Sequence, residues 1–212
     1  MVIKKRRSSR PDSWIKRLEE NKYKIALAIV FLAIASFIDY LAGSYTTSIQ
    51  GAYVKDIILD HTKPINLGFI FVWGWLTIVF VFFAYPVFFK PEKIHLAVTM
   101  FGLLILVRSI SITLTHLGTP PDAIPVDFPS VLALLRFKND LFFSGHTALP
   151  FLGFLLFKKR TIKYFMLASS FIMAATVLLM HQHYSIDVFA AFFISYGVYK
   201  IGDKIFKSDI VE

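Results

Sequence analysis

The sequence predicts an all-α integral membrane protein: a bundle of six transmembrane helices with both termini in the cytoplasm. Three observations carry that expectation. First, 56% of the 212 residues are hydrophobic and only 17% charged, whereas soluble domains are nearer half apolar and a quarter charged. Second, the chain holds six apolar runs, each long enough to cross about 30 Å of hydrocarbon as a helix. Third, Lys and Arg alternate in density from loop to loop, as the positive-inside rule requires.

The runs cover approximately 25–43, 66–89, 94–115, 141–157, 162–180 and 185–206. They are continuous stretches of Phe, Ile, Leu and Val; a barrel would show short alternating segments instead. The lead "MVIKKRRSSRPDSWIKRLEENKYK" reads as a basic segment, amphipathic or without fixed structure. The apolar run behind it outlasts a secretory signal core, so it is expected to stay as a signal anchor. The predicted organisation is a cytoplasmic lead over 1–24, a membrane domain over 25–206 and a short cytoplasmic tail over 207–212.

Lys4, Lys5, Arg6, Arg7, Arg10, Lys16, Arg17 and Lys22 precede the first run. Lys90 and Lys93 separate the second from the third. Lys158, Lys159, Arg160 and Lys163 separate the fourth from the fifth, and Lys204 and Lys207 close the sixth. The other three loops carry only Lys55, Lys63, Arg136 and Lys138. That pattern places these three loops outside. The net charge of +9 then reflects orientation and contact with anionic lipid at the cytoplasmic face. No basic face with interleaved aromatics lies outside the spans, so nucleic acid is not an expected partner. Cysteine is absent, which excludes disulfides, iron–sulfur clusters and cysteine-based zinc sites.

With this orientation the ionisable residues sort by side. His61, His116, His146, His181 and His183 fall on the outer side with Asp56, Asp60, Asp122, Asp127, Asp140 and Asp187; among the histidines only His95 faces the cytoplasm. A polar site at the outer helix ends follows.

Three motifs supply its chemistry. In "HQHYSIDVF" (181–189) Asp187 follows His183 by four residues, so the two share a helix face. Such a pair serves as a catalytic unit, a metal-ligand pair or a structural contact. Tyr184 reads as an interfacial anchor. In "NDLFFSGHTALPF" (139–151) Ser144 can cap a helix whose first amides come from Gly145, His146 and Thr147. Exposed amides and the helix dipole favour a phosphate; the alternative is a capped helix whose His146 faces the head groups. Pro150 predicts an irregular start to that helix. In "LVRSISITLTHLGTPP" (106–121) Arg108 lies inside an apolar span, either as a packing ion pair or as a cation for an anionic head group.

The motifs "SGHT" (144–147) and "HQHYSIDV" (181–188), one span apart, resemble the sphingomyelin synthase family, a branch of the lipid phosphatase and phosphotransferase superfamily (type 2 phosphatidic acid phosphatases). Asp140 stands before "LFFSGHT" at the family's spacing, with Asn139 in its Gly position. "RSISITLTHLGTPP" resembles the third-span motif, and "YVKDIILDHTKPI" (53–65) resembles, weakly, the first outer-loop motif through Asp56 and Asp60.

The resemblance implies a His146, His183, Asp187 triad at the outer membrane face. His183 would attack phosphorus, Asp187 would hold its tautomer, and His146 would serve the leaving and attacking oxygens. Ser144, Gly145, Thr147, Arg108, Asp140 and His181 would bind substrate or phosphate. It implies a phospholipid donor, a lipid-alcohol acceptor (ceramide in the family's sphingolipid chemistry), and a site without metal or other cofactor. The phosphatase branches carry a Lys/Arg motif and a further Arg before the final His; here 176–182 read "TVLLMHQ". Fewer cations suit a phosphodiester, which favours head-group transfer over phosphomonoester hydrolysis. Four histidines in a diiron-type site is a competing reading, disfavoured because His181 and His183 stand at i, i+2. A non-catalytic lipid-binding protein is another. With no retention signal visible, a bacterial-type plasma membrane is the expected location.

Overall fold

A computed structural model describes residues 14–126 and 137–206. Lys4 to Arg10, Asp127, Arg136 and the tail 207–212 lie outside them. The described chain forms six α-helices and no strand, only an isolated bridge between Ala52 and Leu117. They are α1 (Trp14–Ser48), α2 (Trp75–Phe89), α3 (Ile94–Leu114), α4 (Gly145–Leu156), α5 (Arg160–Leu179) and α6 (Ser185–Ile205). A π-helical turn, Ile70–Gly74, leads directly into α2.

Four stretches are long and apolar enough to cross a membrane: Trp14–Ser48, Ile70–Phe89, Pro91–Leu114 and Arg160–Leu179. The other two differ from expectation. Helix α6 is long enough, but Asp187, Lys200, Asp203 and Lys204 dilute its hydropathy. Helix α4 has only 12 residues, about 18 Å at 1.5 Å per residue. Residues 141–144, counted in the fourth apolar run, are irregular backbone, and α4 starts at Gly145 as the Ser144 position predicts.

The first helix is longer than its apolar run. Trp14 to Lys24, read as a separate lead, form its opening turns. The stretch contains no Pro or Gly, and it is tied down twice: Trp14 Nε1 donates to Val87 O at 2.7 Å, and Arg17 pairs with Glu92 at 3.2 Å. Ala28, Ala35 and Ala42 repeat every seven residues and are all buried. Such a stripe of small side chains lets helices approach closely. It faces α3, where a Cβ on Gly102 would stand 3.0 Å from the Phe31 ring. Much of the remaining α1 surface is apolar and exposed, Leu27 and Ile34 among it, as lipid contact requires.

The main core joins α2 through α6. Phe82, Met100, Leu149, Leu152, Met166 and Val198 are fully or nearly fully buried within it. Ser170 and Ser195 donate from α5 and α6 to the Thr147 and Ala148 carbonyls at 2.9 and 3.1 Å, fixing α4 between them.

The chain reverses direction at each connection, so the loops collect at two ends. At one end Lys90, Lys93, Lys158 and Lys159 surround a shared cavity. At the other, the three loops expected outside are bonded to one another. Ala52 exchanges backbone bonds with His116 and Gly118, Ile65 N donates to Leu179 O, and Ile124 N donates to Met180 O.

Candidate active site

Two turns meet at that second end. In the first, Ser144 is extended and α4 begins at Gly145, with Ala148 N donating to Ser144 O at 3.0 Å. The amides of Gly145, His146 and Thr147 therefore precede the first intrahelical bond. Ser144 occupies the capping position but makes no side-chain cap, contrary to expectation. Its hydroxyl accepts from Thr147 Oγ1 at 3.3 Å instead. Helix α4 runs through Pro150, whose missing N–H leaves the His146 carbonyl without its usual donor.

In the second turn, α5 stops at Leu179 and α6 restarts at Ser185. Asp187 Oδ2 accepts the Tyr184 amide at 3.0 Å, capping α6, and lies 3.3 Å from His183 Nδ1. A carboxylate only accepts, so this contact puts the His183 proton on Nδ1 and leaves Nε2 with a lone pair. Asp187 is buried, and its Oδ1 has no hydrogen-bond partner. A backbone bond joins the turns: Ser144 N donates to Asp187 O at 3.2 Å.

Asp56 completes the start of α6 from a distant loop. Its Oδ2 accepts the Ser185 amide at 2.6 Å and the Ser185 hydroxyl at 2.7 Å, and its Oδ1 accepts Ile58 N and Leu59 N. Burial alone would raise its pKa; these four donors outweigh it and hold the carboxyl below its ordinary value. Tyr184 is buried rather than interfacial, with its hydroxyl donating to Gly118 O at 2.9 Å.

His146 is held between aromatic rings, Phe71 at 4.2 Å and Trp75 at 4.6 Å between centroids. Its Nε2 is buried without a hydrogen-bond partner. Arg108 reaches the α4 turn from α3. Its Nη2 contacts Asp140 Oδ1 at 2.7 Å and Asp140 O at 3.1 Å, and its Nη1 lies 3.9 Å from Asp39 Oδ1. A Cβ on Gly145 would stand 3.4 Å from Arg108 Nε, an ordinary contact distance, so the guanidinium edge lies against the start of α4. Arg108 anchors packing through Asp140 and Asp39, and its buried Nε, without a hydrogen-bond partner, lies beside Gly145 at the start of α4.

Asn139 has φ 58°, a left-handed conformation that Asn tolerates better than most residues. It takes the Thr119 amide on Oδ1 at 3.1 Å and donates to Ile49 O at 3.0 Å. Asn therefore serves in the position where the resembling motif has Gly, and binds two further segments.

His181 is not brought to this centre with a free nitrogen. It is fully buried at φ 52°; Nδ1 donates to Asp122 at 2.8 Å and Nε2 lies 3.2 Å from Thr62 Oγ1. That hydrogen bond lowers the Asp122 pKa. Gln182 Nε2 donates to Ile124 O at 2.6 Å, so both residues fasten the 115–126 segment. His61 and His116 are exposed, each bonded to a backbone carbonyl nearby. Among the described residues, no three His, Asp or Glu side chains gather as a metal site would need.

Sequence reasoning missed Asp39 and the capping role of Asp56. A lone carboxylate inside the first apolar span was the available signal for Asp39.

Residues 139–204 match the family model described as PAP2 superfamily C-terminal. The match begins at Asn139 and runs through α4, α5 and nearly all of α6, so it contains both turns. Over these residues, less than half of the chain, the sequence is similar to that superfamily. Together with the apolar helices this likeness identifies a membrane protein. No curated protein and no solved structure matches the chain.

Proposed function

We propose that this chain is a membrane lipid phosphotransferase that moves a phospho-head group from a glycerophospholipid to a lipid hydroxyl, by way of a phosphohistidine at His183. The observation that carries the reading is the His183–Asp187 contact of 3.3 Å, joined by one backbone bond to the turn that bears His146.

His183 Nε2 attacks phosphorus, and the bond from phosphorus to the donor's glycerol oxygen breaks. His146, which takes up a proton once the phosphate's negative charge lies beside it, gives that proton to the same oxygen and releases diacylglycerol. Asp187 stabilises the charge gained by His183 through the proton on Nδ1. The acceptor hydroxyl then loses its proton to His146 while its oxygen attacks phosphorus, freeing His183. The amides opening α4 and the edge of Arg108 hold the phosphate oxygens, where charge is greatest in the transition state. Ser144 and Thr147 shape that turn, and Asp140 fixes Arg108. His181 supports the site through its loop rather than through phosphate. The site faces the extracytoplasmic side of a plasma membrane, with substrates entering from the bilayer and anionic lipid at the opposite face.

The family match also favours a second reading, in which water replaces the acceptor and the same residues hydrolyse the phosphohistidine. Lipid mass spectrometry of cells expressing the wild type, His146→Ala or His183→Ala tests both. Transfer yields a new head-group lipid together with diacylglycerol; hydrolysis yields diacylglycerol and a soluble phosphate. Neither product should form in His183→Ala, and full activity of that variant would refute the mechanism.

A further inference from the structure

At the end of the bundle away from the histidines, α2, α3 and α4 part around a cavity of about 470 Å³, within the range of small-molecule sites. Its wall is mainly apolar, with Leu96 and Leu156 contributed by α3 and α4. Its rim carries four lysines, Lys90, Lys93, Lys158 and Lys159, and no acidic residue. The nearby Glu92 is engaged by Arg17 at 3.2 Å. Lys159 lies over the Phe89 ring at 5.5 Å, which holds its ammonium beside the membrane-facing surface. The lysines come from two connections far apart in sequence, brought together by the packing of α4 against α2 and α3.

We infer that this cavity binds one anionic glycerophospholipid from the adjacent leaflet, its acyl chain on the apolar wall and its phosphate among Lys90, Lys93, Lys158 and Lys159. Ammonium groups clustered near a membrane surface attract anionic lipid. A zwitterionic head group would bring its own cation against the same rim. Phosphatidylglycerol and phosphatidic acid have the required chemistry; phosphatidylcholine does not. The chain's own N-terminal segment is a poor occupant, since Lys4, Lys5, Arg6, Arg7 and Arg10 repeat the charge of the rim. The tail, with Asp209 and Glu212, is the competitor to test. The inference does not depend on the chemistry assigned to the histidines, and its readout is lipid retention.

The full chain is reconstituted in vesicles of equal phosphatidylglycerol and phosphatidylcholine, extracted in mild detergent and examined by native mass spectrometry. One phosphatidylglycerol retained in preference to phosphatidylcholine is expected. The triple variant Lys90→Gln/Lys158→Gln/Lys159→Gln should lose that preference by at least tenfold. All three side chains are exposed, so folding is spared. The control Lys22→Gln/Lys200→Gln/Lys204→Gln removes equal charge elsewhere and should retain the preference. Equal retention of both lipids by the wild type overturns the inference, as does an equal loss in the two triple variants. Increased phosphatidylglycerol retention after deletion of 207–212 also overturns it, by making the tail the native occupant.

Discussion

Asp187 Oδ2 stands 3.3 Å from His183 Nδ1 and 3.0 Å from the Tyr184 amide. A single carboxylate oxygen thus begins a helix and orients an imidazole. The two tasks differ in what they demand: a cap needs an acceptor, whereas stabilising an imidazolium needs a negative charge.

Asp187→Asn should therefore separate them. Its amide oxygen can still cap α6, so the melting temperature should fall by only a few degrees, while phosphotransfer falls by about 10²-fold or more. Asp187→Ala should lose the cap as well, a further loss of about 1 kcal/mol. Thermal unfolding and initial rates on a phosphodiester lipid, measured on the same preparations, distinguish the outcomes. Equal melting temperatures for the two variants would show that the cap contributes nothing.

Arg108 neutralises two partly buried carboxylates, Asp140 at 2.7 Å and Asp39 at 3.9 Å. Removing one partner of such a group is strongly destabilising, by about 3–5 kcal/mol, because an uncompensated charge remains. We predict that Arg108→Gln expresses poorly. The double variant Arg108→Gln/Asp140→Asn should recover folded yield without recovering activity. Yield by fluorescence-detected size exclusion, beside turnover, is the check; recovery of both would leave Arg108 a packing role only.

At Asn139 the backbone is left-handed and the side chain bonds Thr119 N and Ile49 O. Asn139→Gly keeps the conformation and loses the bonds; Asn139→Ala loses both and pays about 1–2 kcal/mol more for the left-handed residue. The expected order of melting temperatures is wild type, then Gly, then Ala. Ala at or above Gly contradicts the account.

Asp56 sets a pH dependence. Its folded pKa lies below the ordinary carboxylate value, so its contribution to stability is complete above the unfolded value, about pH 4. That contribution is lost as pH falls through the lower folded value. Melting temperature followed from pH 6 to pH 3 should drop less steeply in Asp56→Asn than in the wild type. Parallel curves would remove Asp56 from the acid response.

The pairing of His183 with Asp187, and the Ser-Gly-His-Thr turn, were legible because each is a short-range pattern at a helix start, although His183 precedes α6 in the turn rather than sharing a helix face with Asp187. Helix positions were legible because lipid imposes length and composition on every span. The supports were not. Asp39 meets Ser109 across 70 positions and Asp56 meets Ser185 across 129, and no local periodicity records such pairings. Tyr184 was misjudged for a similar reason: its acceptor, Gly118 O, belongs to another loop. The fourth apolar run was taken as a full span because residues 141–143 are apolar, and hydropathy does not distinguish a helix from irregular backbone buried in protein, although the Ser144 position marked the helix start.

The shortness of α4 has a consequence for where the reaction occurs. Phe71 and Trp75, which sandwich His146, belong to the first two turns of a 20-residue apolar stretch, so the imidazole sits about one turn, roughly 5 Å, beneath the top of that stretch. Under the proposed chemistry a donor lipid would have to sink, or the surrounding leaflet thin, for its phosphorus to reach such a depth. Turnover should then respond to hydrophobic mismatch, slowing as acyl chains lengthen and the leaflet thickens around an unchanged protein.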